Sequence, residues 1–139
     1  MNKPVYYSYI AILEYEEDGV HITFPDLPGC VSFGENEIDA IQQAREVLAL
    51  HLWGIEDDGE VPPAASSIKS ISDSQQLQKN EAYLVVDTFM PAIREKMANR
   101  FVKKTLSIPA WLNSQAENCG INFSQTLQKA LKQELKKAY

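Results

Sequence analysis

The segment that most constrains this 139-residue chain is Val102 to Leu135, VKKTLSIPAWLNSQAENCGINFSQTLQKALKQEL, because it is a unit that cannot close a core alone. Its first seven residues alternate. Val102, Leu106 and Ile108, with Lys104 as the odd member, fall on one face of an extended strand, and Lys103, Thr105 and Ser107 fall on the other. Pro109 ends the strand and opens a helix, since proline pushes its predecessor to extended geometry and suits a first helical turn. Gly120 closes that helix. Asn122 is a good N-cap for a second one, along which Phe123, Leu127, Ala130, Leu131 and Leu135 recur at helical spacing. A lone strand of this length has unpaired backbone on both edges, and pairing antiparallel with the same strand of a second copy is the economical remedy. The expected product is a homodimer built on a two-stranded ribbon.

The charge of the chain is distributed as unevenly as its hydrophobicity. Residues 1–93 carry four basic and sixteen acidic side chains, net -12, whereas residues 94–139 carry nine basic and three acidic, net +6. The basic segment favours phosphate, and the acidic one favours a basic protein and repels nucleic acid. A boundary near residue 93 therefore separates two expected domains, 1–93 and 94–139. No apolar run is long enough to span a bilayer, and the N-terminus MNKPVYYSYI lacks the organisation of a signal peptide. A cytoplasmic location is the expectation, with Cys30 and Cys119 as reduced thiols, because they share no pairing or metal motif and flank different domains.

In the acidic part, Val5–Tyr15 reads as a strand, ended by the turn signal Glu16-Glu17-Asp18-Gly19. Val20, Ile22 and Phe24 make a second strand that Pro25 stops, and residues 30–33 make a third. Asn36 caps a helix with Asp39 at its third position, and Ile38, Ile41, Ala44, Val47, Leu48 and Leu52 form its apolar stripe to about Trp53. From Glu56 to Lys79 the composition is that of a loop with little to bury. Ala82–Phe89 is a fourth strand returning to the sheet, and residues 90–100 connect to the basic segment through a short helix at most. The fold class is α+β, an antiparallel sheet with a covering helix plus a small helical domain.

Two resemblances follow from these residues. The strand and two helices at the C-terminus resemble the ribbon-helix-helix DNA-binding family, whose dimeric ribbon enters the major groove. The first helix is about a turn shorter than in many members. Thr105 and Ser107 stand where Arg, Asn or Gln often read bases, so the resemblance implies modest or shape-led readout. The hairpin, FPDLPGC at Phe24–Cys30, Gly34, the capped helix and VPP at Val61–Pro63 together resemble HicB, an antitoxin family, over nearly the whole chain. That likeness implies a partial RNase H-like first domain, a HicA-type toxin as partner (a small basic ribonuclease), and repression of the shared operon through double-stranded operator DNA. On the residues themselves, Pro25 and Pro28 rigidify the turn, and Gly29 and Gly34 supply backbone geometries closed to other residues. Asp26 is open to a structural or a partner-contacting role.

The expected DNA-binding residues are Lys103, Thr105 and Ser107 on the ribbon, with Asn122, Phe123 and Ser124 as a phosphate clamp at a helix N-terminus. Glu14, Glu16, Glu17 and Asp18 are the expected rim of the toxin contact. Assembly beyond the ribbon dimer, to a tetramer, is the favoured state. No catalytic or metal-binding residue and no cofactor is expected. An RNase H-like nuclease needs carboxylates converging on divalent ions, His21 and His51 sit in no ligand pattern, and no P-loop or nucleophilic triad is present. Two other readings stay open: a ribbon-helix-helix repressor whose first domain senses a ligand, and a pure protein-binding inhibitor.

Overall fold

The computed structural model describes residues 3–138 and divides the chain into two compact units, residues 1–100 and 101–139. In the first unit, β1 (Tyr6–Glu16), β2 (Gly19–Thr23), β3 (Val31–Gly34) and β4 (Glu81–Phe89) form one antiparallel sheet in the order β3-β2-β1-β4. The eleven-residue β1 is long enough to pair with two neighbours, as the shorter β2 also does between β1 and β3. In β1, Ile12–Glu16 pair with β2 while Tyr6–Glu14 pair with β4. The fourth strand thus returns to the sheet as expected, on the side of β1 away from the hairpin.

One face of the sheet carries Tyr9, Ala11 and Leu13 of β1, Val20 and Ile22 of β2 and Val86 of β4, all buried. Helix α1 (Glu37–Asp57) closes that core with Ala40, Ala44, Leu48 and Leu52. Its N-cap is the expected one: the Asn36 side chain accepts from the Asp39 amide at 2.9 Å, and the Asp39 carboxylate accepts from the Glu35 amide at 2.9 Å. The stripe differs from the expectation at its start: Ala40 is buried in place of Ile38, and Ile41 is only half-buried and stands outside the core cluster. Ile38 is 71% exposed, because the buried positions repeat every fourth residue from Ala40 and leave it on the outer side.

The two glycines of the turn region have different reasons. Gly29 has φ 85°, the left-handed region that favours glycine. Gly34 does not have positive φ; a Cβ there would lie 2.3 Å from the Ala40 amide nitrogen, so its lack of a side chain lets α1 approach the end of β3. Helix entry, not backbone geometry, is what Gly34 permits.

The stretch expected to be a plain loop holds more. Helix α2 (Ile68–Ser74), capped by the Ser67 hydroxyl accepting from the Ser70 amide, buries Ile71. Ahead of it, the Asp26 carboxylate accepts from the Ser66 amide and hydroxyl, both at 2.7 Å, and the Tyr9 hydroxyl donates to the Pro63 carbonyl. Asp26 therefore anchors Ser66 to the proline-flanked turn, a structural role, while Tyr9 of β1 holds Pro63. Helix α3 (Met90–Ala98) then packs on α1 with Met90 wholly buried. Arg94 of α3 donates to both carboxylate oxygens of Glu56 at 3.0 and 2.8 Å, and to the Pro4 carbonyl at 2.8 Å. The Tyr7 hydroxyl donates to the same carboxylate at 3.0 Å. Burial, reinforced by that carboxylate, pushes the Tyr7 phenol up to about 12.

In the second unit, α4 (Ala110–Asn118) and α5 (Phe123–Ala138) follow the expected boundaries, with the Asn122 side chain accepting from the Gln125 amide at 3.0 Å. The strand expected over Val102–Ile108 is not a hydrogen-bonded element of the chain. A strand exists only against a neighbour, and the described residues of this unit contain no other extended segment to pair with. Among the described residues of the unit only Ala116 is buried. No helix of the described residues is long and apolar enough to cross a membrane.

Candidate interaction surfaces

The alternation of β1 that sends Tyr9, Ala11 and Leu13 into the core sends Tyr6, Ser8, Ile10, Ile12 and Glu14 to the opposite face. The register adds Phe89, Asp87, Val85, Tyr83 and Glu81 of β4 to that face, opposite those five residues in turn. Near the start of β1 this gives a patch in which the Tyr6 and Phe89 rings lie 5.2 Å apart, Val85 is exposed, and the Ser8 hydroxyl donates to Asp87. At the far edge, Val31 and Phe33 of β3 are also exposed, with the His21 ring edge-on to Phe33 at 5.1 Å.

The four acidic residues expected at a protein contact gather around the β1–β2 turn but are not equivalent. Glu16 accepts from the Asn80 amide group at 3.1 Å, and Asp18 sits 3.2 Å from His21. Glu14 is paired in register with His21 on one side and Glu81 on the other, which puts two carboxylates side by side on the face opposite α1. Glu17 occupies the turn. Sequence reading found this cluster by charge alone and missed Tyr6, Val85, Asp87 and Phe89. The available signal was the two-residue period in AYLVVDTF, where Ala82, Leu84, Val86 and Thr88 take the inner face and leave the others outside.

Lys103, Thr105 and Ser107 are all exposed, as are Leu106 and Ile108 between and beyond them. At the start of α5, the Asn122 carbonyl and side chain take the Thr126 and Gln125 amides, while the Phe123 and Ser124 amides have no acceptor among the described residues. Six lysines against two glutamates make residues 101–139 basic. Cys119 is exposed; Cys30 is buried, and burial pushes its thiol up to about 11. Among the described residues no three His, Cys, Asp or Glu side chains gather where a metal ion could be held.

The family model of HicB-like antitoxins of bacterial toxin-antitoxin systems matches residues 9–133. A 14.9 kDa protein encoded in the rep-hol intergenic region of Haemophilus phage HP1 is 28% identical over 104 residues, 75% of this chain and 74% of its own length. Among solved structures, a toxin-antitoxin complex from Streptococcus pneumoniae contains a similar chain, with TM-score 0.58 and 21% identity over 93% of this chain and 99% of that one. A HicA3–HicB3 toxin-antitoxin complex contains another, with TM-score 0.51 and 21% identity over 59% of this chain and 98% of that one. At these identities the structural likeness is one of fold.

Proposed function

The chain belongs to the HicB-like antitoxin family, and from that premise we propose that residues 1–93 bind and silence a small basic HicA-type ribonuclease while residues 94–139 bind operator DNA and repress the shared operon. The protein acts in this reading by binding, not by catalysis. The observation that carries it is the opposed charge of the two segments, net -12 and net +6, within a chain matched by the family from residue 9 to residue 133. An acidic surface attracts a basic ribonuclease and keeps it from RNA, whereas a basic segment attracts phosphate. The solved complex of HicA3 with HicB3, which contains a chain of this fold, supports a HicA-type partner.

In this proposal the sheet and α1 are the partial RNase H-like domain. Residues 102–135 are a ribbon-helix-helix module completed by a second copy, with tetramers formed from two such dimers. Glu14 and Glu17 make the acidic rim of the toxin contact, with Glu16 and Asp18 held in place by Asn80 and His21. The test is titration of the full-length chain against the product of the neighbouring reading frame. We expect tight inhibition of its ribonuclease activity, with an association rate that falls as salt rises. Absence of binding at low salt would refute the toxin half of the reading.

For DNA, two-fold pairing places Lys103, Thr105 and Ser107 of both copies in one groove, and the unoccupied Phe123 and Ser124 amides at the positive end of α5 clamp phosphate. Replacing all three ribbon residues by alanine is expected to relax base preference, at about 1–3 kcal/mol for each well-made base contact. Gel-shift titration on the DNA upstream of the gene measures this. Unchanged affinity and selectivity in the triple variant would remove the ribbon as the reading element.

A further inference from the structure

We propose that the basic partner docks by adding a strand to the outer edge of β4; this rests on the toxin-binding reading above and locates its contact. The phase of the β1–β4 ladder is given by its two ends, where the Met90 amide donates to the Val5 carbonyl and the Tyr15 amide to the Asn80 carbonyl. Antiparallel pairs alternate between those that exchange hydrogen bonds and those that do not. The bonded pairs are therefore Tyr7 with Thr88, Tyr9 with Val86, Ala11 with Leu84, and Leu13 with Ala82. It follows that the amides and carbonyls of Tyr83, Val85 and Asp87 point away from β1. Among the described residues none of them finds another hydrogen-bond partner.

Natural sheets blunt such an edge with proline, lysine, a bulge or brevity. β4 has no proline, glycine or lysine in its nine residues and pairs with β1 without a bulge, and its only charges are the acidic Glu81 and Asp87. Beside the unpaired backbone stand the exposed Val85, Phe89 and Tyr6, so an added strand would gain apolar contact as well as main-chain bonds. Charge selects the occupant. The edge bears Glu81 and Asp87, Glu14 lies next to Glu81, and residues 1–93 are net -12. A second copy would bring an equally acidic unit against this edge, whereas a basic protein brings the complementary sign.

Residue-resolved amide exchange of the full-length chain, alone and with the purified product of the neighbouring reading frame, tests the proposal. In the complex, protection of the Tyr83, Val85 and Asp87 amides is expected to rise at least about tenfold, while Ala82, Leu84 and Val86, bonded to β1, are protected in both samples. A complex that forms with those three amides unchanged would place the contact elsewhere and overturn the proposal. Protection of the same amides in the chain alone, rising with its concentration, would assign the edge to a second copy and overturn it too. If no complex forms at low salt, the toxin-binding reading itself fails and this inference falls with it. As a second arm, Val85→Pro removes an outward donor without removing a β1 bond, and is expected to weaken binding about tenfold or more. Unchanged affinity of a folded Val85→Pro chain contradicts strand addition, and the exchange experiment on the unmodified chain decides if that variant does not fold.

Discussion

Leu106→Asp is expected to hold the protein as a monomer at concentrations where the unmodified chain self-associates, and to abolish operator binding with it. Residues 101–139 bury only Ala116 among their described residues, while Val102, Leu106, Ile108, Phe123, Leu131 and Leu135 stay exposed. A segment of two short helices with that much apolar surface cannot offset the entropy of ordering itself. In the proposed ribbon dimer a second copy supplies the missing half by pairing the two Val102–Ile108 strands and covering the α5 stripe, which would make folding of this segment and association one equilibrium. An aspartate in that seam has to be desolvated without a partner, at a cost on the order of 4 kcal/mol, or about a thousandfold in the dissociation constant. Sedimentation of the variant and of the unmodified chain over a dilution series measures the effect. A folded, concentration-independent monomer for the unmodified protein would sink the expectation. Toxin inhibition by residues 1–93 should survive the substitution, which separates loss of the dimer from general unfolding.

The second large effect is expected at Arg94. Its guanidinium bonds both oxygens of Glu56, which is 8% exposed, and reaches the Pro4 carbonyl, so one side chain ties α3 to the end of α1 and to the segment before β1. Arg94→Met leaves a buried carboxylate with only the Tyr7 hydroxyl, and should cost about 3 kcal/mol of stability. Adding Glu56→Gln should recover part of that loss, because the two residues form one network.

The pair also imposes a pH dependence. The Arg94 hydrogen bonds first, and the Tyr7 hydroxyl after opposing burial, hold the Glu56 carboxyl below its ordinary value of 4.5. A carboxyl lowered by folding contributes stability that is present above its unfolded value and is lost as pH falls through the folded one. Unmodified protein should therefore lose this contribution below about pH 4.5, measured as the urea midpoint against pH. In Arg94→Met the guanidinium is gone and burial favours the protonated acid, so the difference between the two proteins should narrow on acidification. A difference independent of pH would show that Arg94 acts through packing alone.

Much of the chain was legible before any coordinates, and the legible parts have a common character. The β1–β2 hairpin, the Asn36 cap, the α4 and α5 boundaries and the Asn122 cap depend on residues within a few positions of one another, where steric preference and local hydrogen bonding act without the rest of the fold. The charge reversal near residue 93 is likewise a property of composition. Family membership was legible through FPDLPGC and VPP taken with the capped helix.

Tertiary structure decided what joins distant positions. Ile38 belonged to a sequence periodicity wide enough to admit it, and only packing against the sheet chose the Ala40-Ala44-Leu48-Leu52 row. Gly34 is required by the approach of Ala40, a contact that composition does not encode. Asp26 meets Ser66 across 40 residues and Glu56 meets Arg94 across 38, pairs that no local signal joins. Val85 and Asp87 became an open edge because β4 lies beside β1 with no further strand paired to it among the described residues, although the sequence alternation already separated them from Val86 and Thr88. The Val102–Ile108 segment shows the same division most plainly: its alternating side chains are written in the sequence, but a strand is completed by the backbone of a neighbour, and the described residues of its unit offer none.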